Sequence, residues 1–562
     1  MLCVAAVALL VVGLASVSEG AVAFSVPAAL SPSGESAIQP AVSVGPDGTA
    51  VAVWSRPDGG SQLIQQATKR PGESAFGAPE TISAVGRNAQ YPVASVGADG
   101  IVTVAWIDYY SSNQDVVVAT RGVGASTFGT PQTVSEINLR NYEPSLATSA
   151  TGETTVLWSR PANNSTNMVI TSATRPANST TVGAFTDVGI PAGPYQLVPE
   201  GAYGIDGSLT VVWSTVAGVW ASTRSAGSSS FETPVSVAAL SGGLNGLMLA
   251  VGPDGLAVAV WVPVGNPTSI YSATRPDGSS SFGSAVDMTP GEFGEGEPDV
   301  AIAQDGTATV SYFSATVQNG PTLIRTMTRQ PGSTTFDAAV PISTLSAWNP
   351  NMAIAPDGAV TITWDTEDGN GQGLVEVSTR SAGSAAFSAP TTVSDSSRYS
   401  FENALAIGGD GSTVVLFKAS NGLNRVIWAT SRAGTPSISG VSPATGSVDG
   451  GTSLTITGFN FTAGATVGIG SVACVNLVIV DFQTMTCESP AQGAGVLDVT
   501  VETADSQRAT AIGAFEYVVP VAPTTTTTAV PTPSTQPSPT TTMSEPIVPG
   551  TGEDPVSPAF TG

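Results

Sequence analysis

The chain has 562 residues, of which 41% are hydrophobic, and its 62 glycines and 41 prolines are typical of a fold with many short strands and turns. Its formal net charge of −25, with only 11% charged residues, argues against binding to nucleic-acid phosphates or anionic lipid surfaces. The chain contains no histidine, which excludes every catalytic triad and metal site that needs an imidazole.

The first residues predict an export signal. Leu2–Leu14 is apolar, and small residues and an Ala21-Val22-Ala23 cleavage pattern follow it. We therefore predict a signal peptide over residues 1–23, although no Lys or Arg precedes the apolar run. The alternative, a membrane anchor, is disfavoured because a span needs roughly 20 apolar residues. The expected protein is secreted or located at the cell surface, with no membrane span in the mature chain.

The central part of the chain repeats a tight turn followed by a strand that ends in an aromatic residue. In the first copy Gly45-Pro46-Asp47-Gly48 leads to Trp54, and eight copies follow one another 48 to 55 residues apart. This period is typical of propellers and solenoids. The turn residues and their aromatic partners are Asp47 and Trp54, Asp99 and Trp106, Thr151 and Trp158, Asp206 and Trp213, Asp254 and Trp261, Asp305 and Tyr312, Asp357 and Trp364, and Asp410 and Phe417.

Each copy contains four strand-like pieces: one that starts at a Phe, a short one rich in small residues, one that runs from the turn to the aromatic, and one that ends in Thr-Arg. Four short antiparallel strands in about 50 residues predict one blade of a β-propeller. Residues 24–433 are therefore expected to form eight blades. The Phe24–Ser31 segment has no blade of its own, so we expect it to close the ring beside Ala429–Arg432.

The repeated turn is similar to the Asp-box of sialidase-like propellers, because Asp, Gly and an aromatic residue follow a hairpin. It differs because Asp and Gly are adjacent and the aromatic lies seven residues on. The arginine cluster of a sialidase is also missing, since most arginines occupy the repeated Thr-Arg position. The resemblance therefore implies the fold and not the catalysis.

A different pattern begins after the repeats. Pro436–Pro443, Gly450–Phe461 and Val496–Val501 closely resemble segments of an IPT/TIG domain, an immunoglobulin-like β-sandwich, which we place at residues 434–519. The resemblance implies a spacer or interaction module. Cys474 and Cys487 fall where many members of the family carry a disulfide. DNA-binding members use basic loops, and this segment has a single basic residue, Arg508.

Residues 520–562 are rich in Thr, Pro and Ser and predict a disordered stalk. The last residues, Pro558–Gly562, resemble part of a sortase sorting signal. The leading Leu, the apolar span and the basic tail of that signal are absent. Attachment to a cell wall therefore remains an alternative to secretion. The predicted architecture is all-β: an eight-bladed β-propeller, an immunoglobulin-like β-sandwich and a disordered tail.

The order of the pieces makes two predictions about the ends of the blades. The repeated Asp and the repeated Arg should lie at the same end, with Asp47 near Arg70 and Asp254 near Arg275. Two connections of each blade are repetitive and share one end of the ring, and the other two vary and share the opposite end. Binding residues on repeat scaffolds usually lie in irregular loops, so the variable end is the expected binding face.

The candidate ligand-binding residues are aromatic side chains and glutamates at this variable end: Tyr109, Tyr110, Tyr142, Trp348, Tyr399, Glu143, Glu297 and Glu402. Aromatic rings stack on sugars or apolar groups, and the carboxylates accept hydrogen bonds from hydroxyls. The alternative is that these aromatics only pack the loops. Glu143, Glu297 and Glu402 share one repeat position and are expected at the mouth of the central channel.

Acidic side chains suggest two further kinds of site. The segments 292–299 and 365–368 could each provide the paired carboxylates of a glycosidase, although acidic loops are usually only solvated. Asp365, Glu367 and Asp368 are weak candidates for calcium, since their spacing is not that of an EF-type loop. No other cofactor is expected, and no catalytic motif is recognisable.

Three function classes follow. We expect a binding or adhesion protein whose propeller recognises an extracellular carbohydrate or protein. The first alternative is a carbohydrate-active enzyme, a hydrolase or a lyase, and the second is a structural envelope protein. The sequence carries no signal for the oligomeric state.

Overall fold

The computed structural model describes residues 23–520 apart from 111–112, 138, 163–166, 190–198, 241, 266–268, 421 and 505. All the regular secondary structure within these residues is β-strand. Among them, therefore, no helix has the length and apolarity needed to cross a bilayer. The predicted signal peptide up to residue 22 and the predicted tail from residue 521 lie outside the described residues.

The repeats form four-stranded antiparallel sheets, which we number as blades 1 to 8 in chain order. The first strand of each blade lies innermost, and these strands are β2 (Ile38–Val44), β6 (Asn88–Val96), β10 (Ser145–Thr148), β14 (Glu200–Tyr203), β18 (Leu244–Val251), β22 (Phe293–Ile302), β26 (Ala347–Ile354) and β30 (Ser400–Ile407). The second strands are β3 (Ala50–Asp58), β7 (Val102–Tyr110), β11 (Thr154–Pro161), β15 (Leu209–Thr215), β19 (Ala257–Pro263), β23 (Ala308–Ala315), β27 (Val360–Glu367) and β31 (Thr413–Ser420).

The third strands carry the Thr-Arg signature: β4 (Ser61–Lys69), β8 (Asn113–Arg121), β12 (Met168–Arg175), β16 (Gly218–Arg224), β20 (Tyr271–Arg275), β24 (Leu323–Arg329), β28 (Gly373–Arg380) and β32 (Arg425–Arg432). The outermost strands are short: β5 (Glu80–Thr81), β9 (Gln132–Thr133), β13 (Thr186–Gly189), β17 (Val235–Ala239), β21 (Val286–Asp287), β25 (Val340–Pro341), β29 (Thr391–Thr392) and, for blade 8, β1 (Ala28–Ala29).

The ring closes as predicted. β1 pairs with β32, with Ala28 opposite Ala429, so the first segment of the described chain supplies the outer strand of the last blade. Each innermost strand also packs against the innermost strands of both neighbouring blades, and β30 packs against β2. No blade of the ring is therefore left with an open face.

The core lies between the blades. The repeated aromatics Trp54, Trp106 and their equivalents are fully buried. Trp54 packs with Leu416 of blade 8, whereas Val53, on the other face of β3, packs with Trp106 of blade 2. Both faces of a blade are thus buried, which explains the nearly continuous apolar sequence of the second strands.

The repeated turn has the chemistry that its sequence predicts. Gly48 has a φ of 85°, a left-handed conformation that favours glycine. The Asp47 carboxylate accepts hydrogen bonds from the backbone N–H of Thr49 (2.9 Å) and from its hydroxyl (2.8 Å). These local bonds fix the turn and occupy the aspartate.

The prediction that the repeated Asp and Arg share one end of the blade is confirmed, because Ala257, beside the turn, lies opposite Arg275. The two do not contact each other directly: Arg70 pairs with Glu73, and in the described part of the chain Asp254 and Arg275 form no ion pair. Arg275 instead donates to the hydroxyls of Thr223 (2.7 Å) and Thr210 (2.9 Å), both in the preceding blade. The arginine side chain extends from the face of its own sheet towards the neighbouring blade, so it contacts the adjacent sheet. In blade 1, moreover, the repeat position belongs to Lys69, which lies opposite Ala50.

The same contact explains the Thr-Arg and Phe signatures. The threonine before the repeated basic residue accepts from the arginine of the next blade in the pairs Thr68–Arg121 (2.7 Å), Thr174–Arg224 (2.8 Å) and Thr328–Arg380 (2.7 Å). The arginine also lies over the Phe that begins the outer strand, as Arg121 does over Phe128 at 5.2 Å. Arg432 lies over Phe24 at the same distance, so the closing segment packs like the outer segments of blades 2, 4, 5 and 7.

Residues that follow the propeller form a β-sandwich. One sheet has the order β33 (Ser437–Ser442), β35 (Ser453–Phe459), β39 (Thr484–Glu488) and β38 (Val475–Ile479). The other has the order β34 (Thr445–Ser447), β41 (Arg508–Val518), β40 (Gly495–Glu502), β36 (Thr466–Ile469) and β37 (Val472–Ala473). The predicted disulfide between Cys474 and Cys487 is present, with a Cα–Cα distance of 5.9 Å.

Candidate binding face and central channel

The two ends of the propeller differ in their connections. The repetitive face carries the Asp-Gly turns and the connections from third to outer strand, and the variable face carries the remaining connections. Five aromatic side chains of the described chain are more than one-third exposed, and all five lie at the variable face: Tyr91, Tyr110, Tyr142, Phe293 and Tyr399. Three of them were predicted from the sequence, and Tyr91 and Phe293 were not.

The innermost strands are bulged where they reach the variable face. The residue eight positions before the turn residue has a positive φ in five blades: Gln39 (56°), Tyr91 (55°), Glu297 (49°), Asn349 (54°) and Glu402 (52°). The strand register shifts at each of these positions. Non-glycine residues in this conformation are strained, and bulges of this kind often aim side chains at functional sites.

The bulges hydrogen-bond from blade to blade around the channel mouth. The backbone N–H of Tyr91 donates to Gln39 Oε1 (2.9 Å), and that of Asn349 donates to Glu297 Oε2 (2.6 Å). Glu297 and Glu402 therefore lie at the predicted repeat position, at the mouth. Partial desolvation of its carboxyl raises the pKa of Glu297, and the hydrogen bond from the Asn349 backbone N–H opposes the rise.

The first group of predicted residues lies on blades 2 and 3. Tyr110 is 54% exposed, and the Arg87 guanidinium lies 4.6 Å from the centre of its ring. Tyr142 is exposed as well. Tyr109 is half-buried and packs against the core between these two blades, so its ring serves packing. Glu143 is half-buried, and burial raises its pKa.

The second group of predicted residues lies on blades 7 and 8. The Tyr399 hydroxyl donates to Glu367 Oε1 (2.7 Å), and its ring meets Phe401 edge-on at 5.7 Å. Trp348 is half-buried. Glu402 forms an ion pair with Lys418, whose side chain is almost fully buried.

Asp365 belongs to a buried amide network below this second group. Its carboxylate accepts hydrogen bonds from Asn349 Nδ2 (3.0 Å) and Asn403 Nδ2 (2.9 Å), and from the backbone N–H of Glu402 (2.9 Å). Burial raises the pKa of Asp365 to about 6, and these hydrogen bonds oppose the rise. The network holds the bulges of blades 7 and 8 in place.

The three calcium candidates have separate partners. Asp365 is in the amide network, Glu367 accepts from Tyr399, and Asp368 accepts from the backbone N–H groups of Asn370 (2.8 Å) and Gln372 (2.9 Å) in its own turn. In the described part of the chain no three His, Cys, Asp or Glu side chains form a group that could hold a metal ion.

Two carboxyl groups occupy the channel below its mouth. Glu200 and Asp299 each lie six residues before a turn residue, on the innermost strands of blades 4 and 6. Burial raises the pKa of Glu200 to about 8, and the negative charge of Asp299 adds to the rise. Burial also raises the pKa of Asp299 to about 6, although the backbone N–H groups of Met352 and Val300 donate to its carboxylate.

The sequence did not point to Glu200, and it placed Asp299 in an acidic loop. The segment is strand β22 with two register shifts, and Glu292 at its start accepts from the hydroxyl of Ser314. The signal that finds both channel carboxyls is their shared repeat position, which is occupied by an acid in only these two blades.

A cavity of about 580 Å³ lies elsewhere, between blades 6 and 7 around Arg380 at the repetitive face. A second cavity of about 220 Å³ surrounds Arg275, the equivalent residue between blades 4 and 5. Because both cavities occupy the same repeat position, they follow from the shape of adjacent blades.

Comparisons with known proteins agree with this architecture. Residues 436–517 match the family model of the IPT/TIG domain, which confirms the predicted resemblance. The chain is 40% identical over 80 residues to Fibrocystin-L of Homo sapiens and to that of Mus musculus, which covers 14% of this chain. It therefore spans about 2% of the length of these curated relatives.

Several solved structures are similar to this chain at low identity. A polysaccharide lyase of family PL25, an ulvan lyase, is 9% identical with a TM-score of 0.44, over 71% of this chain and 94% of that chain. The leech intramolecular trans-sialidase is 11% identical with a TM-score of 0.37, over 66% and 79%. The β-propeller domain of the Trilobed protease from Pyrococcus furiosus is 11% identical with a TM-score of 0.38, over 64% and 98%. These similarities carry no argument about activity.

Proposed function

We propose that this is an extracellular or cell-surface recognition protein whose propeller binds a carbohydrate on its variable face without converting it. The observation that carries the proposal is the placement of the exposed aromatic rings. All five that are more than one-third exposed in the described residues lie at this face. Exposed aromatic rings beside polar groups offer the stacking surface that sugar rings need.

The position of the second domain supports the same face. The chain leaves the propeller at Arg432, which lies opposite Thr413, at the repetitive end of blade 8. Asn460 of the IPT/TIG domain then donates through Nδ2 to the backbone carbonyls of Asp410 and Thr435. Attachment thus takes place at the repetitive face, on the side of the ring away from the aromatic rings.

The surroundings of the exposed rings favour a carbohydrate over a protein as the ligand. A stable protein interface needs roughly 1,200–2,000 Å² with an apolar centre. Here the rings are separated by carboxylates and amides, and the centre of the face is the polar channel mouth. Polar groups beside single rings suit the hydroxyl-covered edges and apolar faces of sugars.

The IPT/TIG domain and its disulfide indicate an extracellular or cell-surface setting. Disulfides persist in oxidising compartments and are rare in the cytosol. In this setting the IPT/TIG domain acts as the spacer that carries the propeller. Attachment to a cell wall remains the alternative to free secretion.

The test is binding of the full chain to an array of glycans, with three variants on the variable face. Tyr110→Ala, Tyr142→Ala and Tyr399→Ala remove exposed rings, so each should lower binding without a change in melting temperature. Val123→Ala is the matched control, because Val123 is 72% exposed at the repetitive face. Binding that survives all three tyrosine variants would show that this face is not the recognition site.

A second candidate function, a glycoside hydrolase or lyase, is favoured by the two channel carboxyls. A carboxyl group that keeps its proton near neutral pH can act as a general acid, and the pKa of Glu200 is raised to about 8. The test incubates the full chain with the glycans it binds and measures new reducing ends and unsaturated sugars. Turnover that Glu200→Gln abolishes would replace the binding proposal by the enzymatic one.

A further inference from the structure

The five exposed rings of the variable face, together with the half-buried ring of Trp348, form two separate groups. The first aromatic group comprises Tyr91, Tyr110 and Tyr142 on blades 2 and 3, and the second comprises Phe293, Trp348 and Tyr399 on blades 6 to 8. In the closed ring of eight sheets, blades 2 and 3 lie opposite blades 6 and 7. The two groups therefore lie on opposite sides of the channel mouth.

The surface between the two groups is acidic. Glu143 and Glu297 lie at the mouth, and Asp299 lies below it beside Glu200, whose raised pKa of about 8 keeps that carboxyl protonated at neutral pH. Three cations of this face are paired with acids, since Lys418 pairs with Glu402, Arg160 with Asp187 (2.9 Å) and Arg56 with Glu35. Two others, Arg87 and Arg425, lie over the rings of Tyr110 and Phe401. A polyanion crossing the mouth would meet these carboxylates, with the remaining charge of the chain, −25 in total, adding to the repulsion.

We propose that the ligand is a linear, uncharged polysaccharide that lies across the channel mouth and stacks on both aromatic groups. This inference rests on the proposed carbohydrate recognition and adds the charge, the polymeric nature and the orientation of the ligand. A chain long enough to reach both groups binds the second one intramolecularly, which can raise affinity 10²–10⁴-fold without any new kind of contact. A short oligosaccharide occupies one group at a time.

The first experiment measures affinity against ligand length. Full-length protein is titrated with uncharged oligosaccharides of the β-glucan, mannan and xylan series, from disaccharides to decasaccharides, and with oligogalacturonates of the same lengths. Affinity should rise steeply once a neutral chain spans the mouth. Oligogalacturonates should bind weakly at every length, and the neutral chains should bind equally well at low and high salt, because no charge pair is formed.

The second experiment removes one group at a time. Long oligosaccharides should bind more tightly than disaccharides, and Tyr110→Ala and Tyr399→Ala should each remove most of that difference, on the order of 10²-fold. The affinity for disaccharides should change little. Tyr110→Phe and Tyr399→Phe are the matched controls, because they keep the ring; the second removes only the hydroxyl that donates to Glu367. Circular dichroism and melting temperature establish that each variant is folded.

Each outcome decides between the proposals. If one aromatic group alone gave full affinity, or if affinity did not depend on the length of the ligand, the bridging arrangement would be wrong. Carbohydrate recognition by this face would still stand. Tighter binding of oligogalacturonate than of neutral chains would overturn the assigned charge. Failure to bind any of these sugars or the glycan array, with a protein ligand found at the same face, would overturn the proposed function itself.

Discussion

Arg175 at the end of β12 in blade 3 donates through Nη1 to Asp99 Oδ2 of blade 2 at 2.8 Å, and the two side chains are 0% and 1% exposed. The same guanidinium donates to the backbone carbonyl of Gly152, in the one repeat whose turn residue is Thr151 and not Asp. Blade 3 lacks its own turn aspartate, and its arginine is the most completely buried of the series.

The first prediction concerns this ion pair. Asp99→Asn and Arg175→Met should each lower the free energy of unfolding of the propeller by about 3–5 kcal/mol, because each leaves a buried charge or donor without its partner. The double replacement by Leu and Met should cost less than the sum of the two. Denaturant unfolding followed by tryptophan fluorescence measures both.

The control for that prediction is Arg70→Met. Arg70 forms an exposed pair with Glu73, with side chains 62% and 43% exposed, and should change the free energy of unfolding by less than about 1 kcal/mol. Single variants at Asp99 and Arg175 that were no less stable than Arg70→Met would mean that the buried pair contributes nothing to blade packing.

The second prediction concerns ring closure. Deletion of residues 24–33 removes β1, exposes the edge of β32 and takes Phe24 from the face of Arg432, so the melting temperature of the propeller should fall sharply. A deletion of residues 524–562 serves as the control and should leave this transition in place. Equal melting temperatures for the intact chain and the 24–33 deletion would show that the packing of β30 on β2 alone closes the ring.

The third prediction concerns the disulfide. Replacing both Cys474 and Cys487 by Ser should destabilise the β-sandwich by about 3 kcal/mol, because the bond closes a short loop in the unfolded chain. The propeller transition in calorimetry should not move. Mass spectrometry after alkylation of the untreated protein tests the bond itself, and full labelling of both cysteines would contradict it.

The fourth prediction concerns pH. In the folded protein the pKa of Glu200 is about 8, above the ordinary value of 4.5 expected in the unfolded chain. Between these values the folded state holds a proton that the unfolded state has lost, so stability falls as pH rises from about 5 to 8. Glu200→Gln should flatten this part of the profile. An unchanged slope in melting temperature against pH would show that Glu200 is ionised in the channel.

Much of the fold could be predicted because the residue pattern of each repeat indicates the order of its strands. The Pro-Asp-Gly turn fixes one hairpin, the buried Trp marks its second strand, and the unmatched Phe24 segment leaves one solution for closing the ring. These signals are local or periodic, and a periodic pattern can be recognised in a sequence without knowing any distance in the structure. The disulfide followed in the same way from the recognisable order of segments in the IPT/TIG domain.

The contacts between blades were not predictable in the same way. The spacing places Arg275 at the end of its blade that carries Asp254, but it does not say that the side chain crosses to Thr223. The bulges at Glu297 and Glu402 arise where neighbouring inner strands meet, and no local propensity encodes a positive φ for glutamate. Likewise, the sequence does not distinguish Tyr110, which is exposed, from its neighbour Tyr109, which is half-buried.

The closing strand also has a mechanical consequence. Tension on the part of the chain that follows the propeller enters the ring at Arg432, the end of β32. That strand is held on one side by β31, from Thr413 to Ser420, and on the other by β1. The two bonds from Asn460 brace the point of entry. A pulling force therefore meets a strand secured along both edges, and the blade under load is the one that unites the first and last segments of the propeller.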